Sequence, residues 1–174
     1  MKIPTLFNRF SWLFLSSALL STSVLADTQS SIKGDYFGMT VGANAEMFAP
    51  NIVSTEHAEL SATFSKDGNE FFYAMSNHLY DHYVLVHRER KNGIWQAPEI
   101  APFSGQYMDA DPMFSPDGKR LYYISKRPRS GETKSRKDYD IWYSEKKNGQ
   151  WGEPVSVGLT VNTDQNEYYT SVSN

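Results

Sequence analysis

The sequence predicts an all-β fold of the β-propeller class. Two different hairpin motifs, each present twice and in the same order, are the main observation. Aromatic residues make up 14% of the 174 residues, which favours sheet over helix because aromatic side chains suit a pleated, half-buried surface. The formal net charge is −3 and there is no cysteine. The composition therefore gives no indication of nucleic-acid binding and excludes disulfides and thiolate metal sites.

The first motif joins the two leading strands of each repeat. Residues 59–76 align with residues 109–126, and both copies contain Phe-Ser-x-Asp-Gly followed by aromatic and apolar residues. Glycine tolerates a positive φ angle, and aspartate bonds to its own backbone, so the motif predicts a tight turn. The residues on either side then form two antiparallel strands.

The second motif joins the third and fourth strands. Residues 90–100 align with residues 146–156, and both copies contain Asn-Gly followed by Trp-x-x-Pro. Asn-Gly between apolar runs indicates a two-residue type I′ hairpin. Four antiparallel strands repeated about every 50 residues are typical of a propeller blade. We predict blades at about 59–100 and 109–157, and the matched turns disfavour the alternative of a β-sandwich with two chance hairpins.

The segments before and after the two repeats resemble parts of further blades. Residues 43–53 are predicted to form a fourth strand, and residues 166–174 a first strand in which Glu167 matches Asp109. A closed propeller needs about four to eight blades. We therefore expect the chain to be the N-terminal fragment of a longer ring. With uncovered blade faces it should be marginally stable and prone to aggregation.

The first 26 residues have the pattern of a secretory signal peptide. Lys2 and Arg9 precede an apolar run of eleven residues, Phe10 to Leu20, and small residues end the segment at Ala26. An uncleaved anchor is the alternative, but the run is short for a membrane span. We predict a signal peptide at 1–26, a lead-in segment at 27–43 and a partial propeller at 44–174. The expected location is the periplasm or the medium, with no membrane span after cleavage and no lipid-anchoring cysteine.

The stretches FSPDGKRLYYIS and DYDIWYS resemble the WD40-like repeat of TolB-like six-bladed propellers, the PD40 family. The resemblance covers about residues 44–174. The first repeat departs from the pattern, because Lys66 replaces proline and HYVLVHR lacks Asp-Ile-Trp. The family includes periplasmic translocation proteins, envelope binding modules and domains that gate serine peptidases. The resemblance therefore implies the fold more firmly than the function.

Catalytic and metal-binding motifs are largely absent from the sequence. It has no G-x-S-x-G, no H-E-x-x-H, no G-x-x-x-x-G-K and no Ser-x-Asp-x-Gly box. His78, Asp81 and His82 lie in one loop and could in principle bind zinc, but we interpret them as an ordinary surface loop. We expect no metal, no cofactor and no catalytic residue in this chain.

Carboxylates recur where the innermost strand of each unit begins. Because first strands line the central channel of a propeller, these side chains are expected at one channel mouth. One interpretation is a site for a cation or polar ligand; the other is structural pairing with Arg127 or with backbone amides. The candidate residues are Glu59, Asp109, Asp111 and Glu167.

The loop at 126–138 carries six basic residues against two acidic ones. It could dock an anionic partner, either an envelope polysaccharide or an acidic protein. The alternative is a solvated insert without a partner. The candidate residues are Lys126, Arg127, Arg129, Lys134, Arg136 and Lys137.

The sequence favours a non-enzymatic, exported propeller that binds a protein or a cell-envelope glycan. The alternative is the propeller part of a larger secreted hydrolase, glycan-active or peptidase-associated, whose catalytic residues lie outside this chain. We expect no nucleic-acid partner.

Overall fold

The computed structural model describes residues 32–40 and 42–173. The predicted signal peptide at 1–26 lies outside the described residues, and so do residues 27–31 and Val41 of the predicted lead-in segment. One short 3-10 helix, Asp35–Gly38, precedes ten strands. The strands are β1 (Ala58–Phe64), β2 (Glu70–Ser76), β3 (Tyr83–Lys91), β4 (Ile94–Trp95), β5 (Glu99–Ile100), β6 (Asp109–Phe114), β7 (Arg120–Ser125), β8 (Asp140–Lys147), β9 (Gln150–Trp151) and β10 (Val155–Ser156).

The described residues form an all-β structure of two antiparallel sheets. In the first sheet β1, β2 and β3 are neighbours in chain order, and both β4 and β5 pair with β3. The second sheet repeats this pattern with β6, β7 and β8, and both β9 and β10 pair with β8. Strand β6 packs against β1, β2 and β3, so the sheets lie face to face. This arrangement is consistent with part of a β-propeller.

Both Asp-Gly turns form through the same hydrogen bonds. The Ser65 hydroxyl donates to Asp67 (2.6 Å) and accepts the amide of Glu70 (2.9 Å). Ser115 makes the matching bonds with Asp117 (2.6 Å) and Arg120 (2.9 Å). The serine hydroxyl is the main cause that lowers the pKa of each aspartate. The first motif of the sequence is thus a complete local structural unit.

The Asn-Gly turns are type I′ hairpins, as their sequence predicts. Asn92 and Gly93 have φ angles of 52° and 77°, and Asn148 and Gly149 have 52° and 78°. Positive φ at both central residues matches the turn to the twist of the flanking strands. These turns connect β3 to β4 and β8 to β9.

The predicted fourth strand of each blade is divided into two short pieces. Strands β4 and β9 pair with the last residues of β3 and β8, whereas β5 and β10 pair with residues nearer the start of those strands. Pro98 and Pro154 lie between the two pieces. Because proline has no N–H to donate, the ladder is interrupted at this point.

A bulge with a left-handed residue marks the innermost strand of each sheet. The register shifts between Leu60 and Thr63 and between Ala110 and Met113. Ser61 and Asp111, at matched positions, have φ angles of 44° and 51°. Tyr169, the matching residue of the third unit, has a φ angle of 52°. The repeat of backbone conformation thus extends beyond the two sheets.

The two additional strands predicted at 43–53 and 166–174 are not strands in the described residues. Residues 43–53 form bends and turns, with positive φ at Ala49 and Asn51, and residues 166–173 have no regular structure. Residues 43–53 fold back in a turn, in which the amides of Ile52 and Val53 donate to the Ala49 carbonyl. In the second segment the Glu167 amide donates to the Tyr139 carbonyl (2.9 Å), but this bond does not continue into a ladder.

Two apolar clusters hold the sheets. The first lies between them and joins Phe72 and Leu85 of the first sheet to Leu121 and Tyr123 of the second. The second cluster covers the opposite face of the first sheet. There Phe71 and Trp95 pack against Phe37 and Val53, which belong to the N-terminal segment, that is, the described residues before β1. The N-terminal segment therefore covers the face that the second sheet leaves open.

Candidate functional site

Two of the predicted channel-mouth carboxylates fix the turn that precedes their own segment. Glu59 accepts the Thr55 hydroxyl (2.5 Å) and the Thr55 amide (3.2 Å). Glu167 accepts the hydroxyl of Thr163 (2.7 Å) and its amide (3.3 Å). The sequence shows this signal as a threonine four residues before each glutamate. These hydrogen bonds stabilise the turn that leads into each segment.

Asp109 is an interior residue. It is 0% exposed and forms an ion pair with Arg127, which is 6% exposed. The Arg127 guanidinium also donates to the carbonyl of Phe103 (3.0 Å) and to Ser125 (2.8 Å), and Ser104 donates to Asp109 (2.8 Å). Both residues are thus placed away from solvent, and Arg127 does not lie on the surface of the basic loop.

Asp111 connects the two sheets. The Ser61 hydroxyl donates to its carboxylate at 2.6 Å, so the left-handed residues of the two bulges meet across the interface. Among the described residues, no group of three or more His, Asp or Glu side chains is placed to hold a metal ion. Glu59 lies in β1, Asp109 and Asp111 lie in β6, and Glu167 lies in the irregular segment after β10, so these carboxylates form no joint cluster of that kind.

Two arginines of the basic loop are already neutralised. Arg129 makes a two-point contact with Asp140 at 2.6 and 2.7 Å and also reaches Asp164 and the Thr163 carbonyl. Arg136 pairs with Glu132 (2.8 Å) and Asp138 (2.9 Å). Hydrogen bonding to Asp140 is the main cause that raises the pKa of Arg129. These arginines therefore tie the loop to the chain after β10.

The lysines of the loop are placed differently. Lys126 lies over the ring of Tyr139, with its ammonium 4.7 Å from the ring centroid. Lys134 and Lys137 are exposed. A surface cavity of about 460 Å³ is lined by Gly131–Asp138. The part of the loop that faces solvent with net positive charge is thus the pair Lys134 and Lys137.

Glu70 is the main polar connection between the sheets, and the sequence alone did not identify it. It is 7% exposed at the start of β2. Within its own sheet it contacts His87 Nε2 at 3.0 Å. From the second sheet it accepts the Lys146 ammonium (2.6 Å) and the Trp151 indole N–H (3.1 Å). One carboxylate thus binds a cation and an indole of the neighbouring sheet.

Burial alone would raise the pKa of Glu70, but hydrogen bonds from His87 and Lys146 outweigh it and lower the pKa. A carboxyl group with a lowered folded-state pKa stabilises the fold above its unfolded pKa, and this contribution is lost as the pH falls. We expect the stability advantage of wild type over Glu70→Gln to shrink as the pH falls below the unfolded glutamate pKa of about 4.3 and then through the lowered folded-state pKa. Denaturant titrations at each pH measure this difference. Glu153→Gln, at an exposed position, is the control, and an advantage that does not change with pH would contradict the assignment.

On the other face of the first sheet, the N-terminal segment makes a contact similar to that of Glu70 with Lys146 and Trp151. Arg90, which matches Lys146 in the repeat, pairs with Asp35. Trp95, which matches Trp151, donates its indole N–H to the Gly34 carbonyl (3.0 Å) and stacks on Phe37 at 4.2 Å. Asp35 and Phe37 therefore take the roles that Glu70 and Phe72 have between the sheets.

A buried guanidinium supports the same segment. Arg88 is 0% exposed, donates to the carbonyls of Ile52 (2.8 Å) and Gln96 (3.1 Å), and lies 5.2 Å from the Phe37 ring centroid. Its burial is the main cause that lowers its pKa. The bond to Ile52 fixes the N-terminal segment to β3.

The fold and these contacts define a class: two sheets of propeller-blade type with an N-terminal segment on one face. No protein-family model matches the chain, and no solved structure matches it significantly. Among curated proteins, the chain is similar to the dual function macrocyclase-peptidase POPB of Amanita bisporigera, with 28% identity over 109 residues. The match covers 61% of this chain but only 15% of that protein. No helix in the described part of the chain has the length and hydrophobicity needed to cross a membrane.

Proposed function

We propose that this chain is part of a TolB-like propeller of the WD40-like (PD40) repeat class. Its role is that of an exported, non-enzymatic module that binds or scaffolds a partner in the periplasm or cell envelope. The observation that carries the proposal is the repeated blade unit, in which Ser65 and Ser115 make the same turn contacts. Neighbouring blades held by a shared interface form the rigid platform that propellers offer to partners.

The partner we propose is an acidic protein or an anionic envelope glycan that binds at the loop 126–138. Lys134 and Lys137 supply the charge, and the cavity lined by Gly131–Asp138 supplies a concave surface. Arg129 and Arg136 hold the loop in shape through Asp140 and Asp138. Exposed charges of this kind steer an anionic partner and make its binding dependent on salt.

The test is the double substitution Lys134→Glu with Lys137→Glu. We expect several-fold weaker binding to an immobilised anionic polysaccharide at low salt, and no difference at about 1 M salt, where the screening length is about 3 Å. The matched control is Lys66→Glu with Lys91→Glu, which makes the same change of charge at two exposed positions outside the loop, in the turn between β1 and β2 and at the end of β3. Equal weakening by both double variants would contradict a site at the loop.

The second candidate function is the propeller part of a larger secreted hydrolase. The similarity to a protein described as a macrocyclase-peptidase favours it. Assaying the complete gene product for both peptide hydrolysis and binding to the anionic polysaccharide separates the two functions. Cleavage would support the hydrolase, and binding without cleavage would support the scaffold.

Export is a further expectation of the proposal. The basic, apolar and small-residue pattern that ends at Ala26 predicts cleavage by signal peptidase. Mass spectrometry of the protein recovered from the envelope or medium of its host should give an N-terminus near Asp27. An intact Met1 in that fraction would contradict export by cleavage.

A further inference from the structure

The open face of the second sheet carries a cavity of about 440 Å³. It lies between the strands of that sheet and the last described residues of the chain. Ser115, Pro116, Asp117, Lys119, Arg120, Tyr122, Glu145, Val172 and Ser173 line it. The side chains of Arg120 and Glu145 are 43% and 31% exposed.

The repeat identifies what occupies the matching place on the first sheet. Arg120 and Tyr122 match Glu70 and Phe72, and Val172 matches Phe114. Between the sheets, Phe72 and Phe114 enclose the Trp151 indole, with ring centroids 5.5 and 5.9 Å away. Glu70 binds this indole and the Lys146 ammonium. The cavity therefore corresponds to the space that an aromatic ring and a charged group fill at the first interface.

The N-terminal segment gives a second example of the same pattern. There the aromatic pair is Trp95 on Phe37, and the charge pair is Arg90 with Asp35. In both examples a tryptophan packs against an aromatic ring, stacked for Trp95 and edge-to-face for Trp151, and a cation five residues before that tryptophan meets a carboxylate of the adjacent element. The open face follows the pattern in its aromatic ring, Tyr122, but at the position of Glu70 it has a cation, Arg120, which is 3.5 Å from the Glu145 carboxylate of its own sheet.

The last described residues of the chain reach this face, where Val172 and Ser173 line the cavity. Glu167 binds Thr163 as Glu59 binds Thr55. Tyr169 repeats the left-handed conformation of Asp111, and Val172 reaches the cavity. The start of a third unit is thus in place beside the cavity.

We propose that this cavity is a socket for a further blade-type sheet that inserts an aromatic side chain onto Tyr122 and a carboxylate onto Arg120. The proposal rests on the propeller function proposed above and adds the chemistry of the next neighbour. In the inserting sheet, the acidic residue comes five positions before the aromatic residue, and a two-residue hairpin turn lies between them. Its charge is the reverse of that of Lys146.

A second copy of this chain is a poorer occupant. The two hairpins that it could offer carry Lys146 with Trp151 or Arg90 with Trp95. Both would bring a cation to Arg120, and like charges in contact disfavour association. Both hairpins are also engaged within their own chain, with Glu70 and with Asp35.

The test extends the whole chain by one blade. A copy of residues 116–173 is joined after Ser173, so that residues 166–173 serve as the first strand of the added unit. Two versions differ only in the copy of Lys146, which is either lysine or glutamate. We expect the glutamate version to melt about 2–4 °C higher. Introducing Arg120→Glu should reverse this order, because the lysine version then has the complementary charge.

Two readouts separate the socket from the propeller itself. Protection of the added tryptophan from acrylamide quenching reports whether the new blade docks, and the order of melting temperatures reports the charge preference. If the added blade docks but the lysine and glutamate versions melt in the same order with and without Arg120→Glu, the socket is overturned and the propeller is not. No docking would overturn both. Dimerisation of the unextended chain in sedimentation that Arg120→Glu strengthens would overturn the socket in favour of a second copy, whose hairpins bring a cation to this position.

Discussion

Replacing Phe72 by alanine is expected to lower the free energy of unfolding by about 3–5 kcal/mol. Phe72 is 0% exposed and lies at the centre of the interface between the sheets. Its ring stacks on His87 at 4.3 Å and contacts Phe114 and Trp151. Truncation leaves a cavity bordered by aromatic rings of both sheets. The substitution therefore weakens the contact between the two sheets.

Denaturant titration measures the loss. Leu79→Ala is the control, since Leu79 is 78% exposed and its truncation should change stability by less than about 0.5 kcal/mol. Domains are stable by only about 5–15 kcal/mol, so the Phe72 variant should be largely unfolded if the chain lies at the lower end of this range. Equal effects of the two substitutions would mean that the interface is not formed.

Replacing Arg127 by methionine is the second large change. We expect a loss of about 3–5 kcal/mol, because the Asp109 carboxylate then remains buried without its cation. Asp109 is 0% exposed, and Ser104 would be its remaining side-chain donor. Thermal and denaturant unfolding of the variant measure the loss.

The double variant Asp109→Leu with Arg127→Met tests the cause. Removing both charges should recover much of the stability, since a buried ion pair can often be replaced by apolar side chains. Lys91→Met is the control for an exposed pair, with Glu89 as its partner, and should leave stability nearly unchanged because solvent screens the pair. A double variant as unstable as the single one would show that shape, rather than charge, is what Arg127 contributes.

The local parts of the fold could be predicted from the sequence, because their chemistry is contained in a few adjacent residues. Gly68 and Gly118 take positive φ in the Asp-Gly turns, and Asn92 and Asn148 do so in the hairpins. Turn chemistry of this kind needs no information about the rest of the chain. The pairing of neighbouring strands follows from the turns.

The contacts between distant segments could not be predicted in the same way. Glu70 meets Lys146 and Trp151 across 76 and 81 residues, and Arg120 at its matched position has the opposite charge. The sequence predicts no contact for the lead-in segment at 27–43, although Gly-Asp-Tyr-Phe at 34–37 resembles Asn-Glu-Phe-Phe at 69–72. A short similarity of this kind becomes meaningful only when the structure shows both segments against a tryptophan.

The sequence predicts where the candidate residues lie in the repeat, but not what surrounds them. The recurrence of Glu59, Asp109 and Glu167 is visible in the sequence, but their burial and partners are not. Arg127 pairs with Asp109 inside one sheet, and Arg129 pairs with Asp140. Sequence proximity placed both arginines in one basic loop, whereas the fold directs them to interior carboxylates.

The central claim is that two blade-type sheets pack face to face through a shared aromatic and polar interface. Nuclear Overhauser contacts of the Trp151 indole in labelled protein test it most directly. The ring of Trp151 lies 5.5 Å from that of Phe72 in the first sheet and 5.9 Å from that of Phe114 in the second, measured between centroids. Cross peaks from the indole to both rings are expected. Cross peaks to Phe114 alone, with none to Phe72, would contradict it.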